Sequence, residues 1–128
     1  MNIIDLHHVS LAVADLERAR HFYGVVLGLE ELERPPFDFA GAWYGLGERQ
    51  LHLIVQPAGK ALRGTRDIDS RDGHFAVRVD SYDDTLRRFD ELGIPYVAKP
   101  VNKTPWAQIF VTDPDGNVIE FNASIPPL

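Results

Sequence analysis

The sequence predicts an α+β protein made of two copies of one small module, in which a strand, an amphipathic helix and further strands follow in the same order. Two observations carry this. Segments 6–13 (Leu-His-His-Val-Ser-Leu-Ala-Val) and 73–79 (Gly-His-Phe-Ala-Val-Arg-Val) are matching strand-like runs. Each leads into an amphipathic stretch and then a stop, at Leu27-Gly28 or Leu92-Gly93. His8 to Gly28 spans 20 residues and His74 to Gly93 spans 19, so a repeat of about 60 residues occurs twice. Secondly, each half places a further metal-ligand residue type in its last strand-like run. His52 follows His8 by 44 residues, and Glu120 follows His74 by 46.

Each element has a local reason. In the first run Val9, Leu11 and Val13 share one face and His8 travels with Ser10 on the other, while alternation sends His7 opposite to His8. Asp15 is a suitable N-cap. Leu16, Ala19, Phe22, Tyr23, Val26 and Leu27 then follow at helical spacing until Gly28 stops the run. His21 falls on this helix as a solvated surface residue. In 51–55, Leu51, Leu53 and Val55 face the core, and His52 shares its face with Gln50 and Ile54.

Pro57 to Gly73 has no periodic apolar pattern and reads as a connector; its Lys60, Arg63 and Arg66 are solvated charges or, in a sharper reading, a lid over an anionic substrate. The second half repeats the scheme. Phe75, Val77 and Val79 face inward, and His74, Ala76 and Arg78 face the other way. Ser81 caps a helix with Asp84 three residues on, and Tyr82, Leu86, Phe89 and Leu92 make its stripe. Thr112-Asp113-Pro114-Asp115-Gly116-Asn117 suits a type I turn and a following bulge, so the last two strands form a hairpin. Glu120 shares its face with Asn122.

In both halves the helix covers one sheet face and the other face becomes a cup. That face bears His8 and His52, or His74 and Glu120. Imidazole and carboxylate are the donors that borderline divalent cations prefer, so these four residues are candidate ligands for one divalent metal. Phe37, Phe39, Trp43, Tyr44 and Trp106 are candidates to line or border the cup, with core packing as the alternative for each. Arg78 shares the ligand face, and Gln108 and Asn122 can offer hydrogen bonds to a polar substrate.

Composition narrows the class. A length of 128 residues suits a single domain, with module 1 at about 5–56, a linker at about 57–72 and module 2 at about 73–123. No cysteine is present, which removes disulfides, thiolate ligands and a cysteine nucleophile. A net charge of −6 argues against nucleic acid as the main partner. No apolar run approaches the roughly 20 residues of a membrane span, and the N-terminus lacks a secretory signal, so a cytoplasmic protein is expected.

The run from Leu6 to Tyr23 with Leu27-Gly28-Leu29, the segment Gly73 to Val77 and the segment Asp113 to Glu120 together resemble the signatures of the vicinal oxygen chelate superfamily. That superfamily includes glyoxalase I, bleomycin-binding proteins, extradiol dioxygenases and fosfomycin-modifying enzymes. Pro36 to Trp43 with Gln50 to Leu53 is similar to glyoxalase I-like proteins. The resemblance implies two βαβββ modules forming mixed sheets around a cup-shaped metal site. It implies that His8, His74 and Glu120 ligate, and it sets His52 at the place where glyoxalase I has a glutamate. It also implies that Glu120 is the catalytic base and that Ser10 stands where a threonine assists epoxide opening in the fosfomycin enzymes. Many two-module relatives exchange modules between chains, which implies a homodimer whose site takes His8 and His52 from one subunit and His74 and Glu120 from the other; pairing within one chain would give the same ligands.

The leading expectation is therefore a divalent-metal-dependent (Zn, Ni, Co, Mn or Fe) lyase or isomerase of glyoxalase I-like type. It would stabilise an enolate-like intermediate of a small oxygen-chelating substrate. Ser10, Phe37, Trp43, Arg78, Trp106, Gln108 and Asn122 are the candidate substrate contacts. An Fe(II) extradiol-type dioxygenase and a metal-free protein that sequesters a small molecule are the alternatives.

Overall fold

The structure, a computed structural model, describes residues 1–56 and 63–126, and the chain divides into two compact units, Met1–Gly64 and Thr65–Leu128. In the first unit the order is β1 (His8–Val13), α1 (Leu16–Arg20), β2 (Glu31–Leu32), β3 (Gly41–Leu46) and β4 (Arg49–Val55). In the second it is β5 (His74–Arg78), α2 (Tyr82–Leu92), β6 (Val97–Lys99), β7 (Trp106–Thr112) and β8 (Val118–Ser124). Both sheets are mixed and wired alike, in the orders β1-β4-β3-β2 and β5-β8-β7-β6. First and last strands pair in parallel, and the remaining neighbours pair antiparallel. The architecture is α+β with two βαβββ modules, as the repeat predicts.

Helix ends follow the sequence signals. Asp15 accepts the backbone N–H of Arg18 at 2.9 Å, and Ser81 Oγ accepts that of Asp84 at 3.2 Å. Gly28 and Gly93 close their helices at φ 71° and 67°, the left-handed conformation that a side chain resists. The first helix differs from expectation in one respect. After Arg20 it widens into a π-helical stretch, His21–Val26, with Leu27 N–H bonded to the Phe22 carbonyl. Twelve residues separate cap and stop in this copy against eleven in the other, and the wider turn takes up the surplus.

The apolar faces pack as alternation requires. In unit 1, α1 lies on β3 and β4, and Ala19, Phe22, Tyr23 and Val26 are buried together with Val13, Tyr44, Leu51 and Leu53. The buried Tyr44 hydroxyl donates to Glu31 Oε1 at 3.2 Å; burial and that carboxylate push its pKa up to about 12. Tyr44 is thus a core residue on the face opposite Trp43, and it does not border the cup. In unit 2, Phe89 is the buried anchor of α2 and meets Phe121 edge-on with ring centres 5.2 Å apart. Burying a phenylalanine side chain contributes about 1.5–3 kcal/mol. Leu92 ends the stripe still exposed.

The β7–β8 hairpin closes on Asp113, which is 2% exposed. Its Oδ1 accepts the N–H groups of Asp115 and Asn117, both at 2.9 Å, and its Oδ2 accepts the Asn117 amide at 2.8 Å. Replacing Asp113 with Ala strands these buried donors. A loss of about 3 kcal/mol in unfolding free energy is expected from urea denaturation, at the upper end of the cost of unsatisfied groups. A loss under about 0.5 kcal/mol would show that water replaces the carboxylate at no cost.

Candidate functional site

Strand register assembles the candidate side chains of unit 1. Ser10, His52 and Trp43 are neighbours across β1, β4 and β3, and His8 lies beside Gln50. His52, 8% exposed, is held between two flat neighbours. The His8 ring stacks on it at 4.0 Å and 19°, and Trp43 stacks on it at 4.0 Å and 4°. In plane, His52 Nε2 donates to Gln50 Oε1 at 2.8 Å, so its Nδ1 is the free lone pair. Burial lowers the His52 pKa below the ordinary 6.5, and the positive potentials of His8, His7 and Arg34 add to this. A neutral imidazole is the form a metal requires.

His7 departs from the sequence expectation. β1 begins only at His8, so strand alternation does not govern the preceding residue. His7 folds back until its Nδ1 lies 2.8 Å from His8 Nδ1, one donating to the other. Phe37 and Phe39 stand at the surface with Arg34 against them, and Phe37 lies 6.2 Å from Trp43. Ser10 is exposed on the same strand face as His8.

In unit 2 register sets Ala76 and Phe110 on either side of Glu120, and Arg78 and Gln108 on either side of Asn122. Glu120 is buried and accepts from two amides, Gln108 Nε2 at 3.3 Å on Oε1 and Asn122 Nδ2 at 2.8 Å on Oε2. These amides position the carboxylate. His74 Nδ1 donates to the Asp72 carbonyl at 2.8 Å, and its Nε2 lies 3.3 Å from Glu120 Oε1. Arg78 sits over the Trp106 ring at 5.9 Å, at the far end of the same face. His21 is exposed on the first helix. Lys60 lies outside the described residues; Arg66 is exposed and its carbonyl accepts the Thr112 hydroxyl at 3.3 Å.

Among the described residues no group of three or more His, Cys, Asp or Glu side chains is arranged to hold a metal ion. The pairs themselves differ in fit. Since a carbonyl only accepts, His74 Nδ1 bears the proton and a neutral ring turns its Nε2 lone pair toward the Glu120 oxygen. Two acceptors then face each other, and a proton or a cation between them relieves the conflict. Two donors on one ion, at bonds of about 2.1 Å, lie roughly 3.0–3.4 Å apart, so the 3.3 Å separation fits a shared metal. The carbonyl behind His74 and the amide behind His52 are the supports that ligating imidazoles use. His8 and His52 are stacked with ring planes 19° apart, so their in-plane lone pairs lie in nearly parallel planes and His8 has to turn before both can meet one ion. His8 is exposed, so that turn sacrifices little packing.

Two like-wired modules, each setting a histidine on its first strand near a ligand-type side chain on its last, define a protein built from a duplicated module. The match to known families agrees. The Glyoxalase/Bleomycin resistance protein/Dioxygenase superfamily profile covers residues 5–121, and the chain belongs to that superfamily. The chain is 31% identical over 126 residues to a protein called glyoxylase I 4 of Arabidopsis thaliana, covering 94% of this chain and 71% of the relative. It is 31% identical over 120 residues to the lactoylglutathione lyase of Salmonella typhimurium, covering 90% and 89%. A glyoxalase family protein from Bacillus anthracis superimposes with a TM-score of 0.79 at 26% identity, covering 97% and 98%. The fosfomycin resistance protein of Listeria monocytogenes shares the fold, with a TM-score of 0.73 at 18% identity over 96% and 95%.

Three residues of the site escaped the sequence reading. Gln50 carried a usable signal, its position two residues from His52 on one face. His7 and Arg34 lie outside strands and carried none. The lowered His52 pKa has a measurable sign: between that value and 6.5 the unfolded chain binds more protons at this residue. Its contribution to stability is therefore full above about pH 6.5 and is lost as pH falls below it. Thermal midpoints from pH 7.5 to 5 are expected to fall more steeply for the native chain than for His52→Gln, and parallel curves would contradict this. Replacing Gln50 with Ala is expected to weaken metal binding by about 10- to 100-fold, read by competition with a chelator.

Proposed function

We propose that the chain is a glyoxalase I-like lyase or isomerase, acting as a homodimer in which His8 and His52 of one subunit and His74 and Glu120 of the other ligate one divalent ion. It moves a proton between adjacent carbons of a small substrate that carries neighbouring oxygens. Superfamily membership and the lactoylglutathione lyase relative, matched over about nine-tenths of both chains, support a glyoxalase-type function. The observation that carries the metal dependence is the setting of His74. Its Nδ1–H is committed to the Asp72 carbonyl, and its Nε2 stands 3.3 Å from Glu120 Oε1, a spacing that two ligands of one ion share.

Glu120 is the general base. Asn122 and Gln108 hold its two oxygens, so the carboxylate presents a fixed edge to the substrate carbon, takes its proton and returns it to the neighbour. A divalent ion bound there, zinc, nickel, cobalt, manganese or iron, would supply Lewis-acid stabilisation of enolate charge on the substrate oxygens. Trp43 covers one face of His52 and keeps water from it. The same reading takes the protein as a homodimer, a state common in this superfamily.

One observation favours a second reading, a metal-free protein that sequesters a small aromatic compound. Phe37 and Phe39 are half-exposed, and Phe37 leads at a tilt of 51° to Trp43, which lies flat on His52. Metal content separates the two. Protein purified without added ions is expected to hold about one divalent ion per chain, and His74→Ala to lose it; an ion-free native chain that still binds aromatic compounds would favour sequestration. Glu120→Gln keeps an oxygen donor but no base. In a hemithioacetal isomerisation assay it is expected to lower kcat by about 10²- to 10⁴-fold. An unchanged kcat would remove Glu120 from the proton transfer.

A further inference from the structure

Beside His52 stands a cation that the proton transfer does not use. Arg34, between β2 and β3, holds its guanidinium carbon 4.9 Å from the ring centres of both Phe37 and Phe39. Its Nη2 donates to the Phe39 carbonyl at 2.9 Å and lies 3.0 Å from where a Cβ on Gly41 would stand, so glycine there leaves the room the guanidinium takes. Its Nε is buried and has no hydrogen-bond partner. Among the described residues no carboxylate pairs with Arg34, although the chain has 19 acidic side chains against 13 basic ones.

The surroundings are those of a recognition surface. Phe37 and Phe39 stack on each other at 5.1 Å and 16°, yet remain 45% and 44% exposed. Neighbouring exposed aromatic rings are unfavourable in water and mark binding surfaces more often than scattered single ones do. Phe37 approaches Trp43, and Trp43 lies flat on His52. Aromatic rings therefore run from solvent, past a guanidinium that no described carboxylate pairs, to a candidate ligand, with one tilted step between Phe37 and Trp43.

We propose that Arg34, Phe37 and Phe39 form a subsite for the carboxylate of a small molecule that also bears an aromatic or other flat apolar group. The carboxylate meets the guanidinium fork, and as the exposed rings part, one oxygen reaches Nε and closes its open donor. The flat group packs against the exposed Phe37 ring, with Trp43 at its edge. As a statement about the substrate this rests on the function proposed above; as a statement about binding it requires neither metal nor turnover.

The test uses the full chain, as purified and again after chelator treatment, so that failure of the isomerase reading leaves it intact. Phenylacetate and its neutral isostere phenylacetamide are titrated while ¹H–¹⁵N signals of the Gly41 amide and Trp43 indole are followed. Phenylacetate is expected to shift both signals saturably in both preparations and to bind at least tenfold tighter than the amide. Arg34→Met is expected to abolish that preference, and Arg34→Lys to retain part of it. Equal binding of the two compounds, no binding, shifts confined to Trp106 and Arg78, or an intact preference in folded Arg34→Met would each overturn the proposal. Should Arg34→Met not fold, the comparison of the two compounds on the native chain decides alone.

Discussion

The parallel pairing of first and last strand within each unit is the constraint on which the site depends. β1 against β4 sets Ser10 beside His52, and β5 against β8 sets Ala76 beside Glu120. A slip of one residue in either pair would turn a ligand-type side chain into the apolar layer under the helix. That layer resists the slip, because Leu51, Leu53, Ile119 and Phe121 are buried on the other face. Hydrophobic packing thus holds the polar side chains in phase although it never touches them.

The two copies have diverged in how they treat equivalent positions. His52 and Glu120 occupy the same place in their sheets, as do Trp43 and Phe110. In one copy the residue is an imidazole pressed between flat rings, with burial favouring its neutral form. In the other it is a carboxylate held by two amides next to an imidazole. One half therefore offers flat aromatic contact and the other a carboxylate fixed by hydrogen bonds. Specialisation of this kind is open to a duplicated module, since each copy is stabilised by its own core.

Much of this was legible in the residues. Asp15 and Ser81 announced the helix starts, Leu-Gly pairs announced their ends, and alternation assigned His8, His52, His74 and Glu120 to the faces away from the helices. Period and capping are local, and a sequence reports local physics well. Side-chain partnership is not local. That His52 would stack between His8 and Trp43 depends on rotamers chosen across three strands. For Tyr44 the reading left cup and core both open, and its burial settles it as core, on the face opposite Trp43, because one step along a strand reverses the face. Arg34 precedes two prolines in a segment without periodicity, so no pattern pointed to its guanidinium.

The widened turn at His21–Val26 explains how the copies stayed comparable while their lengths drifted. An added residue in a strand would reverse the facing of everything beyond it, and one in a tight turn would undo the hairpin. Inside a helix it is absorbed within one coil, and neither the Asp15 cap nor the Gly28 exit changes character. Both halves still spend six residues between histidine and helix cap. Helices are in this sense the expansion joints of the fold, the places where an insertion can accumulate without disturbing the chemistry carried by the sheets.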